Sequence, residues 1–565
     1  MRKKQTKKLM IAVLLFILPL LMNAVESQDK LIELMSSEIN RQMSALANED
    51  VPPYFISYRV DETKTTRISS SFGNLTHSQE TEERLLTTEV RVGEHNLDNS
   101  REIRDDYSRF MFNFSKGTNM PLQNNPNAVK QILWNQTDAK YKAAVDKLAK
   151  VKANIAVKVE AEDLSADFST EEASVYYEPK SNAKQIDIKL WEEKIKKYSL
   201  PFLKDAAIFD SYASFKLTEG RKYYASSEGS KVAQNYVQVK LFVKGSVKAE
   251  DGMVLPLHLS YFAFDMQGLP ADEVVLYDVD EIVQKLTALK TAPIAEPFTG
   301  PALLSGEAAG VFFHEIFGHR VEGQRQKSET DGQTFKKMIG EEVLLPELSV
   351  KFDPTLKKFG EQDLNGYFKY DDQGVEGQKV TIVKDGILKG FLMSRCPITG
   401  FIKSNGHGRA QSGKDPVTRQ SNLIVTTSNP LSNDDLRQKF IDEIEDQEKE
   451  YGYYFAEVMG GFTMTGRYMP NAFNVTPTEV YKIYADGRPD ELVRGVDLVG
   501  TPLAMFSEIK AAGNTSKVFT GTCGAESGSV PVTAISPSLF VRQIETQKKM
   551  KSQERPPLLP RPGLE

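Results

Sequence analysis

The stretch "APIAEPFTGPALLSG", Ala292 to Gly306, gathers three prolines and two glycines near the middle of the chain. Strand-type alternation lies on both sides of it. No single sheet pattern runs through so many helix- and strand-breaking residues, so the chain divides there. With 565 residues, 40% hydrophobic and 26% charged, each half has enough apolar material to bury its own core. Charge is balanced, 71 Lys+Arg against 77 Asp+Glu for a net of −6, and no long basic cluster follows the first few positions. That pattern argues weakly against nucleic-acid binding.

The first positions form a separate unit. "MRKKQTKK" is basic, and "LMIAVLLFILPLLM" is a 14-residue apolar run interrupted by Pro19. Small residues follow in "NAVES", the layout of a secretory signal peptide over residues 1–27. The run is short for a membrane span. The sequence therefore predicts an exported protein, periplasmic or extracellular, with no stable membrane span after signal removal.

Residues 28 to about 295 read as a mixed α+β domain. Leu31, Leu34, Met35, Ile39, Met43 and Leu46 fall near helical spacing, and Pro52 and Pro53 end that helix. "YFISYRV", "TRISSSF" and "LLTTEVRV" read as strands, helices follow near 126–157 and 187–200, and strands return over 207–264. The second domain, residues 296–548, opens with a helix whose N-cap is Ser305. Hairpins with turns at Asp385-Gly386 and Asp486-Gly487 flank the helical stretch "NDDLRQKFIDEIEDQEKE". The fold class is thus α+β with two domains, the second mostly antiparallel β and carrying the helix with the candidate metal motif. A Pro-rich tail, 549–565, closes the chain.

That helix contains "FFHEIFGHRVEGQ". His-Glu-x-x-His would set both imidazoles on one helix face, but His314 and His319 are five residues apart, about 140° around a regular helix. A one-turn π-bulge would bring the pair back together, and Gly318 eases either that bulge or a termination of the helix. Glu315, beside the first His, is the carboxylate that a catalytic zinc site uses as a general base. A third ligand must come from elsewhere. Glu322 is a candidate ligand or a partner of one. Cys523, in the glycine-rich "FTGTCGAESGSVPV", is the distant candidate, on a segment expected to be a flexible loop. Cys396 is the only other cysteine, so an exported protein could instead join Cys396 to Cys523.

"HEIFGHRVEG", "FGEQDLNGYFKYDDQGVEGQKVTIVKDGILKGFLMSR", "SNGHGRAQ", "EVMGGFTMTG" and "CGAESGSVPV" occur in that order across most of residues 300–540. In this the chain resembles the TldD/PmbA family of metalloproteases, and specifically its TldD type, in which His-Glu-x-x-x-His is intact. The resemblance implies Zn2+ held by His314, His319 and Cys523, with Glu315 as the catalytic carboxylate. It depends least on His407 and Arg409 of "SNGHGR", which it offers as substrate or supporting residues. Gln324 stands where the family commonly carries an acid. The implied activity is hydrolysis of small or unfolded peptides. A peptide-binding or assembly protein with a structural metal is the rival, and a homodimer or a heterodimer with a related subunit is left open.

Overall fold

A computed structural model describes residues 29–103, 117–156, 163–181, 184–468 and 472–549. The expected signal peptide and the Pro-rich tail beyond Lys549 lie outside the described residues. Among the described residues, no helix is long and apolar enough to cross a membrane.

The fold is α+β. Helix α1, Lys30–Leu46, begins at Asp29, whose carboxylate accepts from Leu31 N at 3.0 Å, and buries Leu31, Ile32, Met35 and Ile39. Two long strands follow, β1 (Pro53–Ser71) and β2 (Asn74–Glu94). The segments "YFISYRV" and "TRISSSF" are one strand, although the polar run Asp61–Thr66 between them suggests a break. Cross-strand ion pairs explain the continuity: Lys64 meets Glu80 at 2.8 Å, and Arg84 pairs with Glu62. Only at Phe72 and Gly73, both with positive φ, does the chain turn back.

Helices α2 (Pro126–Ala156) and α3 (Ile188–Ser199) precede strands β3 (Ile208–Ser226), β4 (Lys231–Lys248) and β5 (Val254–Ala263). Strands β2, β1, β3, β4 and β5 lie side by side, all antiparallel. One sheet face is apolar: Ile68, Phe215, Leu241 and Val243 pack with Trp191 and Ile195 of α3 and with Val275, Val279 and Leu286 of α4, Asp272–Thr291. The opposite face is polar.

The second sheet has 11 strands, most of them paired antiparallel. Its centre is β12, Gly528–Lys548, hairpinned to β11, Ile509–Ala525. Strand β12 also pairs with β6 (Thr299–Leu304) and β10 (Val496–Gly500). Strand β6 pairs with β8 (Tyr451–Thr463), β8 with β9 (Phe473–Tyr484), and β9 with β10. The five strands β12, β10, β9, β8 and β6 therefore close a ring, and Asn422–Thr427 (β7) adds to β12 in parallel. Closure removes sheet edges that would otherwise need covering. Helix α5, Gly306–Ile316, packs onto this ring through Phe312, Phe313 and Ile316. It is the helix that carries the metal motif.

Candidate metal centre

Ser305 caps α5, its hydroxyl accepting from Ala308 N at 3.1 Å. Ten of the eleven helix residues are buried, so His314 and Glu315 are fixed by their neighbours on the ring. The helix stops at Ile316 and a 3-10 turn, Gly318–Val321, follows. Between the two openings left by the sequence, termination is the one used. The buried Arg320 guanidinium stabilises that end, donating to the carbonyls of Glu315 (2.8 Å) and Ile316 (3.2 Å). A Cβ at Gly318 would overlap the Gln420 side chain, which itself donates to His314 O at 3.2 Å. Gly318 is thus required by close approach.

The tighter turn swings His319 back beside His314, ring centroids 5.1 Å apart. Cys523 Sγ lies 3.2 Å from His319 Nε2, and one ligand atom from each of the three residues falls within 4.8 Å of the others. All three are buried. Cys523 does not sit on a flexible loop: it is near the end of β11, opposite Val530 on β12, where the hairpin ladder holds it. Both cysteines are free thiols, so no disulfide joins Cys396 to Cys523.

The surroundings tune this trio. Burial opposes ionisation of the Cys523 thiol, but His319 and His314 outweigh it and hold the thiol well below its usual pKa. Burial likewise disfavours charge on His319, and Cys523 and Glu322 reverse it, raising the imidazole well above 6.5. Such a thiolate facing two imidazoles is a borderline-soft donor set of the kind zinc takes. Glu315 faces the same cleft without joining the trio, and the Gly461 backbone packs on its Cγ. Burial raises its carboxyl pKa, partly offset by His314, His319 and Arg320.

Glu322 is placed behind His319. Its Oε2 lies 3.3 Å from His319 Nδ1, which leaves Nε2 to face Cys523. Arg325 donates to the same oxygen at 2.8 Å and reaches Asp331 (3.3 Å) and Glu526 (3.1 Å). Burial opposes charge on Glu526, but Arg325 and Arg419 reverse it and hold its pKa at about 2. Gln324 reaches Glu526 Oε1 at 3.4 Å, so an acid in its place would confront that carboxylate.

Arg325 and Arg419 were not singled out from the sequence. Arg419 is fully buried and donates to Cys523 O (2.6 Å), Ser527 Oγ (2.8 Å) and Gly528 O (2.8 Å), which clamps the hairpin end that presents the thiol. A buried arginine among carbonyls is a local signal only once the partner strand is known. His407 and Arg409 are held elsewhere. The His407 ring contacts Asn405 and Ser421, each at 3.0 Å, and Arg409 donates to Gln420 O with its guanidinium over the Phe368 ring. Neither lines the cleft.

That cleft measures about 1480 Å³ and is lined by both domains. The second domain contributes His314, Glu315, His319, Cys523 and the β8 stretch Met459–Thr463, and the first contributes Arg91, Lys240, Phe242, His258 and Phe262.

Residues 298–548 match the model of the PmbA/TldA metallopeptidase C-terminal domain. A metalloprotease of Archaeoglobus fulgidus is 32% identical over 269 residues, 47% of this chain and 56% of that protein. The second domain of the chain belongs to the TldD/PmbA family. A zinc metalloprotease TldD homologue of Saccharolobus solfataricus is 24% identical over 362 residues, 62% of this chain and 71% of that protein. The matched part thus spans 56% and 71% of the length of these two relatives. TldE from Thermococcus kodakarensis shares the fold, with a TM-score of 0.59 at 14% identity over 91% of this chain and 99% of that one.

Proposed function

We propose that this TldD/PmbA-family chain is an exported zinc metallopeptidase acting on small or unfolded peptides. The observation that carries the reading is the convergence of His314, His319 and Cys523 on one cleft wall with Glu315 beside them and outside the trio. The donor set fits zinc: two imidazoles and an ionised thiol, buried and within reach of one small ion. Zinc, when held there, supplies a Lewis acid that polarises a scissile carbonyl and acidifies water.

The chain's own groups do the rest. Glu315 takes the proton of the attacking water at its carboxylate and passes it to the leaving amine, which its raised pKa favours. Glu322 and Arg325 keep the His319 ring oriented. Among the described residues strand β11 has one ladder partner, β12, and its Phe519–Ala525 stretch lines the cleft, so an extended peptide can lie beside it.

Glu315→Gln tests the assignment. Zinc content and folding should be kept while turnover of a mixed peptide library falls by roughly 10²–10⁴-fold. Loss of zinc would make Glu315 a ligand, and unchanged turnover would move the base elsewhere. If the unmutated zinc-loaded protein cleaves nothing in the library, a peptide-binding protein with a structural metal becomes the better reading. Export rests on the basic start and the apolar run. Mass spectrometry of protein from the native host should find a new amino terminus between Asn23 and Asp29, and an intact Met1 would refute it.

A further inference from the structure

The polar face of the first sheet carries a charge pattern that its own fold leaves unbalanced. Arg67 on β1 lies directly opposite Lys216 on β3, and Lys216 directly opposite Lys240 on β4. Three cations thus stand in one cross-strand row. Like charges so placed destabilise a sheet. Among the described residues, no carboxylate pairs with any of them. Arg67 donates to the Tyr212 hydroxyl at 3.1 Å, and neither Lys216 nor Lys240 has a hydrogen-bond or ion-pair partner. The neighbouring Lys244 is matched, by Asp210 at 3.5 Å.

The row ends in the cleft. Lys240 lines it, with Phe242 and Phe262 beside it and with His258, whose buried Nδ1 has no partner. Gln238, two residues from Lys240 on the same face, donates to Asn365 Oδ1 at 3.1 Å. Asn365 in turn donates to Gly521 O at 2.9 Å. Gly521 is two residues before Cys523 on β11. This relay fixes the cationic wall beside the strand along which a peptide would lie, in the same cleft as the metal trio.

We propose that Lys240, backed by Lys216 and Arg67 and flanked by His258, forms a carboxylate-binding subsite of the cleft that selects anionic peptides. The inference rests on the peptide reading of the cleft. Burial and Lys216 together push the Lys240 ammonium down to about 8, so an arriving carboxylate is the group that restores its full charge. A side-chain carboxylate of Asp or Glu and a peptide's terminal carboxylate share this chemistry. Phe242 and Phe262 exclude water around it, which strengthens a charge-assisted hydrogen bond.

Equilibrium binding to the full-length, zinc-loaded Glu315→Gln protein tests the subsite without relying on turnover. Three labelled peptides of equal length are compared: one with Asp and Glu residues, the same peptide with Asn and Gln in their place and an amidated C-terminus, and the acidic peptide amidated at its C-terminus. The acidic peptide should bind about tenfold more tightly than its neutral counterpart, the scale of one charge-assisted hydrogen bond. Amidation that abolishes the preference assigns the terminal carboxylate, and a preference that survives amidation assigns the side chains. Lys240→Gln should bring the ratio to about one and Lys240→Arg should keep it. The unfolding midpoint of Lys240→Gln should not fall, because a like-charge pair is relieved, and Lys216→Gln should give a smaller loss of preference. Equal binding of acidic and neutral peptides, a preference untouched by Lys240→Gln, or no saturable binding at all would overturn the subsite. A preference that disappears in Lys240→Gln, when the zinc-loaded protein with Glu315 intact hydrolyses nothing, would retain the subsite and reject the peptidase.

Discussion

The two walls of the cleft solve opposite electrostatic problems. On the second-domain wall, charges are buried and nearly all are matched: Glu322 by His319 and Arg325, Glu526 by Arg325, and the carbonyls of the Cys523 hairpin by Arg419. The first-domain wall presents Arg67, Lys216 and Lys240 to one another with no acid between them. A matched wall fixes ligand geometry before anything binds, whereas an unmatched one stores attraction for a guest of opposite sign. Rigidity marks the reacting side and charge imbalance marks the selecting side.

The matched wall should fail sharply when one member is removed. His314→Ala or His319→Ala should abolish the binding of about one zinc per chain, and Cys523→Ala should reduce it, measured by metal analysis of purified protein. Cys396→Ser should keep the metal. Next in size, Arg419→Met leaves three buried hairpin acceptors without their cationic donor, so denaturant unfolding should show a loss of about 3–5 kcal/mol. If stability is unchanged, the hairpin is not held by Arg419. Glu322→Gln should weaken zinc binding by about 10–100-fold in a chelator competition while the fold persists, the usual cost of losing the group behind a ligand imidazole. A complete loss would make Glu322 a direct ligand.

The smallest effect tests whether matching extends to the far end of α5. Glu307 is half-buried beside Glu457, and its partial burial together with that neighbouring carboxylate pushes its pKa from 4.5 up to about 8. The folded chain therefore keeps a proton that the unfolded chain releases, and stability should fall as pH rises between 4.5 and 8. Glu307→Gln should flatten that slope in urea unfolding followed across the window. Glu457, Glu479, Lys285 and Lys517 surround the site, so a slope that survives the substitution would assign the proton to Glu457.

Much of this was legible in local sequence. Ser305 before an apolar run marks the start of α5, and Asp385-Gly386, both with positive φ, forms the turn its residue types predict. Helix α4 is the element that the reading of the first domain lacks, although Val275, Val279, Ile282, Leu286 and Leu289 recur at helical spacing. The break expected between "YFISYRV" and "TRISSSF" is absent for a different reason. Residues Asp61–Thr66 look like a loop in isolation and become strand only because β2 and β3 supply partners on both sides.

The sequence by itself determined the chemistry available: which residues could ligate, the Glu315 carboxylate beside them, and a Gly318 that permits the helix to stop. Those depend on residue type and near neighbours, which the chain carries everywhere it goes. Only the tertiary structure decided that Cys523, 204 positions beyond His319, completes the trio from a paired strand, and that Glu322 backs the ring. It also decided that Lys216 and Lys240 stand face to face. Strand register sets those distances, and register is fixed by the whole sheet and its core, not by any segment alone.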